Sequence, residues 1–231
     1  MKHTKRYKSY MKDLDLQKKY SFLDALDILN KVHSVKFDES VDININLNID
    51  PKKADQNIRS TVILPGGNGR IKKILVISSG ENLKMAERLK VDYFGDEEII
   101  EKISQGWFDF DVLIATPDKM KSLGKIGKLL GPRGLMPNPK AGTVTTDIKK
   151  AVEEIRLGKV EIRVDSYGIL HLAIGKISFD VDKILLNIRT LLEALFKMKP
   201  STVKGSFIKS VYLTSTMGPG LKIDLSDVFL K

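Results

Sequence analysis

Two kinds of strand pattern occur in this chain, and one sheet cannot satisfy both. "VDININLNID" (Val41 to Asp50) alternates strictly: Val41, Ile43, Ile45, Leu47 and Ile49 are apolar, and the residues between them are Asp or Asn. Such a strand buries one face and leaves the other open. "ILVIS" (Ile74 to Ser78) and "VLIA" (Val112 to Ala115) are continuous apolar runs, which require cover on both faces. Helical stretches at 81–90, 96–104, 118–130 and 146–157 alternate with these runs, the order of a small parallel α/β domain. After Gly158 the alternating kind returns in "KVEIRVD" and "GILHLAIG", and again in "FIKSVYLTST" and "LKIDLS".

The fold class is therefore α/β with α+β, in two domains. A discontinuous α+β domain, residues 1–65 and 158–231, carries an α/β domain, residues 66–157, as an insertion. The two crossings, "PGGNGR" and "RLGK", hold Gly66, Gly67, Gly69 and Gly158, and paired crossings of this kind make a natural hinge.

Local signals place the elements. Ser21 followed by Asp24 reads as an acidic variant of the capping box, and Phe22, Leu26, Leu29 and Val32 then recur at helical spacing. A second amphipathic helix, Val181 to Lys199, stops at Pro200. Ser166-Tyr167 reads as a hairpin turn between two strands, with Gly168 opening the second.

Charge narrows the partners. The chain carries 39 Lys+Arg against 29 Asp+Glu, a net +10, which suits an acidic partner such as nucleic acid or an anionic membrane surface. No apolar run reaches the length that spans a bilayer. The basic start "MKHTKRYKSYMK" has no apolar stretch after it, so it reads as a basic arm rather than a secretory signal. With no cysteine, disulfides, thiol nucleophiles and zinc–thiolate sites are excluded. The three histidines (His3, His33, His171) do not pair at metal-ligand spacing. No metal or cofactor is expected.

Catalytic readings fare poorly. "GGNGR" has glycines suited to phosphate, but it runs into a strand and lacks the Gly-Lys-Ser/Thr of a phosphate loop. Asp96, Glu97, Glu98 and Glu101 lie where a helix begins, as do acids that favour its positive end. No histidine stands ready to activate a Ser or Thr, so no catalytic residue is assigned. Binding chemistry remains. "GKIGKLLGPRGLMPNPKAGTV" (Gly124 to Val144) holds no acid. Its prolines restrict the segment and its glycines permit turns and close backbone approach. Lys125 and Lys128 fall at i and i+3 on one predicted helix face beside Lys121, and Arg133 and Lys140 continue the charge. Gly124-Lys125-Ile126-Gly127 also has the form of a GxxG backbone clamp, a weak signal alone. Leu135 and Met136 would plug a core.

A second surface is suggested by "KFDES" (Lys36 to Ser40) and "TSTMGPG" (Thr214 to Gly220). Phe37 beside Lys36 could stack on a base or ribose, though on chemistry alone it reads as a core residue. Met217 is a compliant apolar contact, and Gly218 admits close approach.

At these residues the chain resembles the ribosomal protein L-one family of the large subunit. The resemblance rests on "KRY", "KFDESVDI", "DPKKADQNIR", "DEEIIEKI", "WFDFDVLIATPD", the 124–144 segment and "TSTMGP", in order along nearly the whole chain. It implies a split α+β domain that binds large-subunit rRNA, with a Rossmann-like insertion hinged to it. By matching positions, it implies rRNA contacts at Lys36, Phe37, Ser40, Asp165, Ser210, Thr216, Met217 and Gly218. Secondary RNA contacts would come from Lys125, Lys128, Arg133 and Lys140. Where Ser40 stands the family more often has Thr, which keeps the hydroxyl. The resemblance also implies a cytoplasmic, non-enzymatic protein of the ribosomal stalk that is a monomer when free. It would assist release of exit-site tRNA and could repress its own mRNA leader. Two rival readings are a nucleotide-dependent enzyme on the α/β block and a general nucleic-acid chaperone, whose binding would ignore sequence and shape and be steeply weakened by salt.

Overall fold

A computed structural model of the chain describes residues 18–203 and 205–226, with positions 5, 8, 10, 14 and 15 before them. The basic arm at residues 1–12 lies almost wholly outside the described residues. In chain order, helix α1 (Phe22–Val32) precedes strands β1 (Ser40–Leu47) and β2 (Arg59–Ile63). Then come β3 (Ile74–Ile77), α2 (Glu81–Arg88), β4 (Tyr93–Gly95), α3 (Glu97–Ser104) and β5 (Val112–Ala115). Helices α4 (Met120–Lys125), α5 (Gly127–Leu130) and α6 (Ile148–Arg156) follow. Strands β6 (Lys159–Arg163) and β7 (Ile169–Lys176), helix α7 (Val181–Lys197), and strands β8 (Ile208–Ser215) and β9 (Leu221–Ile223) complete the order. The chain divides into two compact units, residues 1–69 with 162–231, and residues 70–161.

The first unit is built on an antiparallel sheet of order β7-β1-β8-β9. Alternation in β1 has the predicted consequence: Val41, Ile43, Ile45 and Leu47 are buried, and Ser40, Asp42, Asn44 and Asn46 are only half-buried. Helices α1 and α7 pack on each other and on the sheet, covering the apolar side. The Ser21 cap forms, its hydroxyl accepting from Asp24 N at 3.1 Å, which satisfies one of the otherwise unpaired N–H groups of the first turn. Strand β1 ends at Leu47, short of Asp50.

The predicted hairpin across Ser166-Tyr167 forms only in part. Strand β6 pairs with β2 and β7 with β1, and an isolated bridge, Val164 to Leu170, joins the two arms. The intervening turn is a side-chain-capped one: Asp165 Oδ1 accepts from Tyr167 N at 2.9 Å and Ile169 N at 2.8 Å. These bonds let the arms part after one bridge and leave β6 to its other partner.

The second unit holds a parallel sheet of order β4-β3-β5. Its continuous apolar strands are covered twice, as their composition demands. Leu75, Ile77, Leu113 and Ala115 face Ile100, Ile103, Leu123, Ile126 and Leu130 from α3, α4, α5 and the residue between the last two. Ile74, Val76 and Ile114 face Ala86 of α2 and Ile148, Ala151, Val152 and Ile155 of α6. Strand β4, three residues at the sheet edge, has no signal strong enough to foresee.

The helix read over 118–130 is instead three short pieces. A single 3₁₀ turn (Pro117–Lys119) leads into α4, and Ile126 breaks the path at φ −100°, ψ 9° before α5. Gly124 and Gly127 bracket the break; glycine lowers helix stability by about 1 kcal/mol relative to alanine, and burial of Ile126 and Leu130 prevails.

Candidate nucleic-acid interface

The start of β1 and the end of β8 meet at one end of the four-stranded sheet. Ser40 N donates to Thr216 Oγ1 at 3.0 Å, and Thr216 N donates to Ser40 O at 3.1 Å. Lys36 and Phe37 lie in the loop entering β1, and Met217 and Gly218 in the turn leaving β8. Six of the eight residues singled out for RNA contact therefore gather here: Lys36, Phe37, Ser40, Thr216, Met217 and Gly218.

Phe37 is not a core residue. The residue is 51% exposed, and Met217 is 45% exposed. The core reading fails because Lys36, Phe37 and Asp38 all stand out from the loop and buried Glu39 is the residue that turns inward. Gly218 is set by packing: a Cβ there would overlap Ser215 Oγ and lie 3.5 Å from Leu29 Cδ2.

Ser210 and Asp165 lie further along. Ser210 is the cross-strand partner of Asn46, six residues from Ser40 on β1, a span of about 20 Å at strand rise. Because directly opposed residues share a face, Ser210 stands on the open, polar side with Ser40. Asp165 belongs to the turn before β7, and its Oδ2 lies 3.4 Å from His171 Nε2. Burial pushes the Asp165 carboxyl up, but hydrogen bonds from Ile169 N, Tyr167 N and His171 outweigh it and hold it below the usual carboxylate value. The structure thus gives one dense cluster and two outlying positions on a shared face.

That face holds a row which motif reading missed: His171, Asn44, Tyr212 and Lys222, one from each strand. His171 Nδ1 lies 2.6 Å from Asn44 Oδ1. The alternation of the strands marks these positions as outward, but register, which sets them side by side, has no short-range signal.

In the second unit, Lys121, Lys125, Lys128, Arg133 and Lys140 are exposed. The helix break removes the continuous face on which Lys125 and Lys128 were expected. Arg133 stacks over Phe108, its guanidinium carbon 3.9 Å from the ring centroid. Leu135 and Met136 pack against the core beneath. Asn138 Oδ1 accepts from Lys140 N at 2.9 Å, and Gly142 takes the left-handed conformation at φ 67°. The basic segment is a shaped surface anchored by its own apolar residues.

The crossing glycines are placed as follows. Gly66 and Gly67 are bonded to Asn187; Gly67, Gly69 and Gly158 have positive φ. Two carboxylates of the second unit form ion pairs, Asp96 Oδ1 with Lys119 Nζ at 2.5 Å and Asp109 Oδ1 with Lys73 Nζ at 2.6 Å. Among the described residues, no group of three or more acidic or histidine side chains is placed to hold a metal, and no helix is long and apolar enough to cross a membrane.

Residues 29–219 match the model of the Ribosomal protein L1p/L10e family. The chain belongs to this family. A relative described as Large ribosomal subunit protein uL1, from Macrococcus caseolyticus (strain JCSC5402), is 51% identical over 227 residues, covering 98% of each chain. Membership in the L1 family makes the protein a structural, non-enzymatic ribosomal component, which removes the nucleotide-dependent enzyme.

Proposed function

We propose that this large-subunit ribosomal protein binds rRNA of the mobile stalk on the loop end and open face of its four-stranded sheet. The observation that carries the reading is the pair of half-exposed apolar side chains, Phe37 and Met217, flanking the Ser40–Thr216 strand junction beside Lys36. An aromatic face stacks on an unpaired base, hydroxyls bond ribose and phosphate oxygens, and a lysine neutralises phosphate. Thr216, Gly218, Ser210 and Asp165 complete the contact set. The 1–65 and 158–231 segments act as the rRNA-binding domain, and 66–157 as a Rossmann-like insertion. Lys125, Lys128, Arg133 and Lys140 supply weaker contacts. Gly66 and Gly67 anchor the first crossing to Asn187, so the hinge change falls at Gly69 and Gly158.

Within the cytoplasmic ribosome, movement of the insertion about this hinge assists the exit of deacylated tRNA. A leader of its own mRNA that mimics the rRNA site would be repressed by the same surface. The protein acts as a monomer until it meets RNA. Footprinting on naked large-subunit rRNA tests the central part: protection confined to one region supports it, and uniform or absent protection overturns it. Titration of the protein's own leader RNA tests repression, and failure to bind removes that role.

A further inference from the structure

One lysine holds the strand end that carries Ser40. Lys176, the last residue of β7, is the cross-strand partner of Ser40. Its Nζ donates to Ser40 Oγ at 3.1 Å and to the Asp38 carbonyl at 3.3 Å. The turn after it adds three more ties. Ile177 N donates to Glu39 O at 2.9 Å, and the Asp38 carboxylate accepts from Ser178 N at 3.2 Å and Ser178 Oγ at 2.7 Å. Residues 38–40 are therefore clasped by residues 176–178, while Phe37, next in line, stays half-exposed.

The stem of Lys176 is confined as well. A Cβ at Gly69 would lie 2.5 Å from Lys176 Cγ and 3.2 Å from Phe179 Cζ. The absence of a side chain at Gly69 leaves the lysine its path to Ser40.

We propose that Lys176 is a positioning residue for the RNA-facing end of the sheet. It orients the Ser40 hydroxyl and fixes the loop from which Phe37 projects, instead of contacting phosphate itself. The inference rests on the reading that Phe37, Ser40, Thr216 and Met217 meet RNA. An ammonium group has three N–H donors, and this one directs two of them at protein oxygens. A charged donor makes such bonds stronger than neutral ones. Because Ser40 Oγ accepts from Lys176, its own hydrogen is turned away from the lysine, ready to donate to a phosphate or ribose oxygen. Lys176 thus sets the polarity of the Ser40 contact as well as its place.

The test uses the full chain and a large-subunit rRNA stalk hairpin, with affinity measured across a salt series. Lys176→Met keeps the stem beside Gly69 and removes the N–H donors. It is expected to weaken binding about 10-fold, the scale of one charge-assisted bond, with the salt slope unchanged. Lys176→Arg is expected to restore most of the loss. Combined with Phe37→Ala, Lys176→Met should cost less than the product of the two separate losses, since it acts partly through the ring. A salt slope reduced by about one would mark Lys176 as a phosphate contact and overturn the positioning role. Full multiplicativity with Phe37→Ala, or undiminished affinity, would overturn it equally. If Phe37→Ala and Met217→Asp both bind normally, the underlying site reading fails instead. Circular dichroism checks that each variant folds, and Lys176→Leu, which also removes the N–H donors, serves if Lys176→Met does not.

Discussion

Asn187, fully buried in α7, reads the backbone of Gly66: its Oδ1 accepts from Gly66 N at 2.8 Å. Its Nδ2 donates to Gly67 O at 2.9 Å and to Ile174 O at 2.7 Å. One side chain thereby ties the first crossing segment and strand β7 to the helix that covers the sheet. It is also why a polar residue is tolerated at an inward position of an otherwise apolar helix face, since all its partners are met.

Asn187→Leu keeps the branched shape and strands the buried Ile174 carbonyl together with the part-buried Gly66 N–H and Gly67 carbonyl. A buried orphan costs about 1–3 kcal/mol and a part-buried one less, so destabilisation of about 2–3 kcal/mol is expected. The urea midpoint should fall with the slope of the transition unchanged. A midpoint shifted by less than the equivalent of about 1 kcal/mol would show that water replaces the three bonds.

Phe37→Ala removes an aromatic face that is half in solvent. Stability should stay within about 0.5 kcal/mol, as for surface substitutions generally. Affinity for stalk rRNA should fall by about 1–3 kcal/mol, the worth of one stacked base. Equal loss of stability and affinity would mean that the ring packs against protein in solution.

Met217→Asp places a negative charge in the turn where RNA phosphates are to approach, without disturbing a buried contact. Binding should be lost almost entirely while the melting temperature is kept. Normal binding by this variant, measured by filter retention, would remove the 215–218 turn from the interface.

Asp165 gives a pH dependence whose sign can be worked out. Its folded value is depressed below that of a free carboxylate. Its stabilising effect is therefore complete above the unfolded value of about 4 and is lost as pH falls through the lower folded value. Asp165→Asn should melt below the wild type at pH 6, and the gap should narrow as pH drops toward 3. A gap that widens in acid would contradict the hydrogen-bond assignment.

Lys125→Ala with Lys128→Ala addresses the second unit. Both side chains are exposed, so the fold should persist. Affinity should weaken modestly, and the salt slope should decrease by up to about 2 as phosphate contacts are lost. An unaltered slope would exclude these lysines from the contact.

Legibility from sequence differed by kind of element. The β1 alternation and the runs Ile74–Ile77 and Val112–Ala115 announced their own burial, because period and composition are local properties. The apolar spacing continues through Ile126 and so predicts an unbroken helix there, while tertiary packing of Ile126 and Leu130 settles the break. Phe37 reads as core on chemistry alone because composition cannot say which residue of a loop turns inward; Glu39 does. Lys176 and His171 carry no local signal, since their partners, Ser40 and Asn44, lie more than a hundred residues away and are met only through strand register.

The most direct test of rRNA recognition compares binding to the stalk hairpin of large-subunit rRNA with binding to a plain duplex of equal length, at low and high salt. Shape-specific contact through the Phe37–Met217 end predicts a large preference for the hairpin that survives at high salt. Equal affinities that collapse together as salt rises would contradict it, leaving only the attraction of a +10 protein for any nucleic acid.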